Sequence, residues 1–73
     1  MPNSLTFEVE GEVVENLPNT SFRVKLNGSG KIVLCHLAGK MRIHWIRLLP
    51  GDRVRVAMAG PDETLGRIIF KLK

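Results

Sequence analysis

The chain has 73 residues, with 11 Lys plus Arg against 7 Asp plus Glu, a formal charge of +4 and a sequence pI near 9.9. This length implies one domain over residues 1–73 with a small core and little room for a buried catalytic pocket, and the basic balance favours an anionic partner. The single cysteine, Cys35, excludes an internal disulfide and a cysteine cluster for zinc, and no apolar run approaches the ~20 residues that cross a bilayer.

Met1-Pro2-Asn3-Ser4 has neither the basic start nor the apolar stretch of a secretory signal, so a cytoplasmic location with no membrane partner is expected. The charge is uneven. Residues 1–22 hold four glutamates and no base, whereas residues 23–73 hold all eleven bases against three acids, a balance of +8. The later elements are therefore expected to build a basic surface from which the first strand turns partly away.

From Leu5 to Val14, apolar Leu5, Phe7, Val9 and Val13 alternate with Glu8, Glu10 and Glu12, the period of a half-buried strand, with Gly11 marking a bend or bulge. Asn16-Leu17-Pro18-Asn19 has the composition of a turn. Phe22, Val24 and Leu26 then alternate with Arg23 and Lys25 as a second strand. Asn27-Gly28-Ser29-Gly30 tolerates positive φ and joins it as a hairpin to a third, Ile32-Val33-Leu34-Cys35.

Leu37, Met41, His44 and Leu48 recur at helical spacing, but Ile46 lies on the other side of that wheel and Pro50 disfavours helix at Leu49. One or two turns from about Ala38 to His44 are expected, followed by extended chain. After a turn at Pro50-Gly51-Asp52, Val54, Val56 and Met58 alternate with Arg53 and Arg55 as strand four. Residues 59–64 form a loop, and residues 66–72 form strand five with Ile68, Phe70 and Leu72 inward. Five short strands with a brief helix between the third and fourth match the OB-fold, an all-β, five-stranded Greek-key barrel that often binds oligonucleotides.

Basic residues occupy the outward positions of three strands: Arg23 and Lys25, Arg53 and Arg55, Arg67 and Lys71, with Lys40, Arg42 and Arg47 around the helix. Cations held along a phosphate backbone gain affinity by releasing counterions. A solvated strand face kept charged against edge pairing has the same pattern. Aromatics are few, and Phe7, Phe22 and Phe70 all fall on inward positions, which favours folded RNA over strings of stacked bases. Trp45 sits at the border of the apolar stripe, where its ring can pack beside Met41 with one edge left for RNA.

Other chemistries find little support. Ser29-Gly30-Lys31 lacks the glycine and the hydroxyl residue of a phosphate loop, with Lys25 and Ile32 in their places. His36 and His44 lack a third metal ligand and read as structural or RNA-facing, so no metal and no cofactor are expected. Cys35 and His36 point to opposite faces of a strand and cannot act as nucleophile and base. No acid and base pair emerges, and the chain does not read as an enzyme.

Asn16-Leu17-Pro18-Asn19-Thr20, Phe22-Arg23-Val24, Gly39-Lys40-Met41-Arg42, Ile46-Arg47, Gly51-Asp52-Arg53-Val54 and Gly66-Arg67-Ile68 together resemble the bacterial and organellar translation initiation factor one family, in register from about Val9 to Lys71. The resemblance implies an OB barrel that binds the small ribosomal subunit at the A site, contacts ribosomal RNA and a neighbouring ribosomal protein, and assists the other initiation factors. Carried over by position, RNA contact falls on Arg23, Lys40, Arg42, Arg47 and Arg67. Charge and position add Lys25, His44, Trp45 and Lys71 to the expected RNA-binding set. The chain departs from the family at Ile43 and Leu65, where bases are common, at Trp45, where Tyr is common, and at Ser29-Gly30, a slightly lengthened hairpin. A monomer is expected. Two other readings stay open: a stand-alone OB-type RNA chaperone, and a structural ribosome-associated barrel.

Overall fold

A computed structural model describes residues 7–43 and 47–72. The expected strand periodicities appear as β1 (Phe7–Leu17), β2 (Ser21–Leu26), β3 (Ile32–Leu37), β4 (Arg53–Met58) and β5 (Leu65–Lys71), with a one-turn helix α1 (Gly39–Ile43) between β3 and β4. The strands close as a barrel in the order β1-β2-β3-β5-β4, antiparallel except for the parallel β3–β5 pair. A closed barrel leaves no sheet edge open to another chain. The core is built from alternate positions, among them Val13, Phe22, Val24, Val33, Cys35, Val54, Val56, Met58 and Ile68. Met41 of α1 and Leu48 beyond it join that core and cover one end of the barrel.

β1 supplies two barrel seams. Residues from Phe7 to Glu12 pair with β4, and residues from Gly11 to Leu17 pair with β2. Gly11 sits where the two seams overlap, and a Cβ there would lie 2.7 Å from the Lys25 carbonyl oxygen and from a Val24 methyl. That glycine therefore permits close approach of backbones. The bulge falls three residues later, where Val13 opposes Val24 and Glu15 opposes Arg23, leaving Val14 unpaired and exposed. β1 also runs through Asn16 and Leu17, so the turn is Pro18-Asn19-Thr20, with Asn19 and Thr20 at φ 63° and 56°.

Two of the aromatics expected inward are not buried. Phe7 lies at the barrel rim, where β1 has β4 alone as partner, and it stays 36% exposed. In β5, Arg55 opposes Phe70 while Val56 opposes Ile68, so Ile69 is a bulge. One extra residue reverses the alternation beyond it. Phe70 is thereby turned outward, with the Arg55 guanidinium 5.9 Å from its ring centre, and Lys71 comes opposite Val54 at the end of the barrel. Ile68 is inward as expected and Leu72 is half-buried.

The helix begins where Ala38 donates its N–H to the Ile68 carbonyl (2.9 Å) and accepts from the Met41 and Arg42 amides. β5 thus fixes α1 against the barrel. Among the described residues no helix is long and apolar enough to cross a membrane.

Candidate functional site

The registers of β2, β3 and β5 align side chains in rows across the outer wall. Ser21 opposes His36, and His36 opposes Arg67; Arg23, Leu34 and Leu65 form the next row. Buried Ser21 shares a hydrogen bond with His36 Nδ1 (3.0 Å), which fixes the imidazole ring on the surface. A cleft of 490 Å³ lies beside it, lined by Asn19, His36, Arg42, Leu65, Gly66 and Arg67. Its floor needs Gly66, because a Cβ there would lie 2.6 Å from a Val56 methyl in the packed interior.

A second groove of 770 Å³ adjoins the first, with Arg42 and Arg47 above apolar walls that include Phe22, Met41 and Leu48. Arg42 and Leu37 line both. The left-handed Asn19-Thr20 turn places Asn19 on the cleft and Thr20 on the groove. A threonine at positive φ is unusual, and such conformations persist where surrounding structure holds them.

The cations whose side chains are described fall into two groups. Arg23 forms an ion pair with Glu15, Arg55 lies 3.3 Å from Glu10, and Lys71 lies 3.6 Å from Asp52 while donating to the Arg47 carbonyl (3.1 Å). Lys31 donates to the Pro61 carbonyl. The side chains of Lys25, Arg42, Arg47, Arg53 and Arg67, all but Lys25 and Arg53 lining a groove, make no ion pair or hydrogen bond among the described residues. Of the residues expected to bind RNA, Arg42, Arg47 and Arg67 thus come together on one flank. Lys25 stands on the outer face of β2, and Arg23 and Lys71 are engaged. His44, Trp45 and the Lys40 side chain lie outside the described residues.

His36 and Asn19 were not in the expected set. Their sequence signals were present, a histidine on the outward face of a strand and a turn residue tolerant of positive φ, but a search led by Lys and Arg passes over both. Beneath the cleft, Cys35 is fully buried, and burial pushes its thiol up to about 12. It is therefore protonated at neutral pH and is no nucleophile.

Comparison with solved structures agrees with the barrel. YloQ, a circularly permuted GTPase, matches with a TM-score of 0.72 at 19% identity, over all of this chain and 25% of its own, a likeness of fold alone. YjeQ from Thermotoga maritima matches with a TM-score of 0.72 at 32% identity, over 92% of this chain and 23% of its own. The present chain therefore spans about a quarter of each. The solution structure of a translation initiation factor IF-1, from the Wolbachia endosymbiont strain TRS of Brugia malayi, matches with a TM-score of 0.72 at 48% identity, covering 92% of this chain and 78% of that one. The family model described as translation initiation factor 1A / IF-1 matches residues 1–73, the whole sequence. With the family model matched over the whole sequence and the barrel matched over 92% of it, the chain belongs to the translation initiation factor 1A / IF-1 family.

Proposed function

We propose that this initiation factor binds the A-site region of the small ribosomal subunit through ribosomal RNA and assists the other initiation factors there, acting as a cytoplasmic, monomeric binding protein with no catalytic step. The observation that carries this reading is the convergence of Arg42, Arg47 and Arg67, unopposed by any described carboxylate, around two adjoining grooves. Guanidinium groups with no partner among the described residues can fork onto phosphate oxygens, and the apolar walls beside them suit the faces of bases. Lys25, Lys40, His44, Trp45 and Arg23 extend the proposed contact set, and a neighbouring ribosomal protein is the expected second partner.

A second reading, a stand-alone RNA chaperone, gains from Phe70, which stands half exposed with Arg55 beside its ring, as a base-stacking aromatic would. Against it, Glu10 pairs with that arginine and Glu8 and Glu12 share the same strand, a charge pattern that repels a phosphate chain. Sedimentation with purified small subunits, with and without the other initiation factors, separates the two. With about four phosphate contacts, log Kd should rise with log salt at a slope near 3. Binding that ignores salt, or equal binding to unstructured RNA, overturns the ribosomal reading.

A further inference from the structure

The segment 47–52 returns the chain from α1 to β4 and carries Arg47 to the rim of the larger groove. It belongs to no regular element, so the direction of Arg47 depends on the tethers that hold this segment. β1 provides three of them: Asn16 Nδ2 donates to the Leu48 carbonyl (3.1 Å), and Val13 exchanges backbone hydrogen bonds with Gly51 and Asp52. β5 provides the fourth. Lys71 Nζ donates to the Arg47 carbonyl at 3.1 Å and lies 3.6 Å from Asp52 Oδ2, the same oxygen that accepts the Leu49 N–H at 2.9 Å.

We infer that Lys71 and Asp52 are positioning residues that clamp the backbone at Arg47, holding its guanidinium beside Arg42 on the groove, and that neither side chain binds the anionic partner itself. The inference rests on the proposed reading of this groove as part of an RNA-binding face. An ammonium group has three donors, and this one is committed to an internal carbonyl and faces an internal carboxylate. The Ile69 bulge supplies the cause: it removes Lys71 from the outer wall and sets it opposite Val54, at the end of the barrel where segment 47–52 passes. A forked arginine contact depends on direction as well as charge, so releasing this backbone should weaken it.

The sign of one substitution separates a clamp from a direct contact. Asp52→Asn keeps an oxygen for the Leu49 N–H while removing the attraction for Lys71, so the fold should persist, which circular dichroism checks. If Lys71 touched RNA, Asp52→Asn would release a cation and delete an anion beside it, and binding to purified small subunits would tighten. The clamp requires the reverse: Asp52→Asn and Lys71→Met each weaken binding about three- to fivefold. Neither should weaken it further once Arg47 is alanine, because the clamp acts through that residue. Tighter or unchanged binding by Asp52→Asn, or a Lys71→Met loss that adds in full to that of Arg47→Ala, overturns the inference. If Asp52→Asn fails to fold, the Lys71→Met and Arg47→Ala cycle decides alone. Failure of the wild-type chain to bind subunits is a different result: it removes the RNA reading and the clamp's role with it.

Discussion

The two sides of the barrel carry similar numbers of arginines but arrange them in opposite ways. On the wall of β1, β2 and β4, acid faces base across the seams: Glu15 opposes Arg23, Glu10 opposes Arg55, and Glu12 stands between Lys25 and Arg53. On the flank of β3, α1 and β5, no element contains a carboxylate, and Arg42 and Arg67 are joined there by Arg47. Asp62 and Glu63, in the loop before β5, bridge to no described base. Exposed pairs contribute ~0–1 kcal/mol to stability and cancel each other's field at a distance. Net charge therefore gives the sign of the partner, whereas local pairing decides which face attracts it.

Breaking that comparison should have its largest effect on binding. Replacing Arg42 and Arg67 together by alanine removes two charge-assisted contacts of ~1.5–3 kcal/mol each, and affinity for small subunits should fall about 10²- to 10⁴-fold. Replacing Arg23 and Arg55 removes the same formal charge, but both are already paired with Glu15 and Glu10, so any contact Arg23 makes must first break its ion pair, and binding should weaken by less than about tenfold. Both variants should keep the wild-type circular dichroism spectrum. Equal losses would show that total charge, not its local pairing, sets affinity.

Beneath the flank of β3 and β5, Cys35 opposes Gly66 across the β3–β5 seam and links core burial to pH. Burial raises its thiol from 9.0 to about 12. The unfolded chain therefore loses this proton near pH 9 while the folded chain keeps it, so in the window from 9 to 12 stability falls as pH rises, by about 1.4 kcal/mol per unit. Cys35→Ala should cost stability at about pH 8 by leaving a small cavity, and the gap from wild type should narrow between about pH 9 and 11 in urea titrations. Parallel curves for the two proteins would sink this account.

Much of the fold was legible because alternation reports burial directly: Phe22, Val24 and Leu26 against Arg23 and Lys25, or Val54 and Val56 against Arg53, read correctly. The helix was legible from Met41 and Leu48. What alternation could not carry was the two bulges, because an unpaired residue at Val14 or Ile69 leaves no mark in a single strand's period. It exists only in the register with a partner strand. The same limit applied to the site, where Arg42, Arg47 and Arg67 were visible as charge while the glutamate partners of Arg23 and Arg55 depended on cross-strand pairing. His36 acquired its fixed orientation from Ser21, fifteen residues earlier.

The smallest expected effect tests the Ile69 bulge itself. An unbroken period would place Phe70 in the core, and its loss would then resemble that of Phe22, which is 7% exposed and whose replacement by alanine should cost about 3–5 kcal/mol. With the bulge, Phe70 is 51% exposed and its ring meets the Arg55 guanidinium, so Phe70→Ala forfeits part of an apolar burial and a cation–π contact, together about 1 kcal/mol. Because the ring lies on the wall where Arg55 is already paired with Glu10, subunit affinity should stay within about twofold of wild type. Chemical denaturation of the two phenylalanine variants provides the comparison. Losses of similar size would mean that β5 runs straight through residue 69, and Lys71 would then return to the outer wall, away from the Arg47 carbonyl.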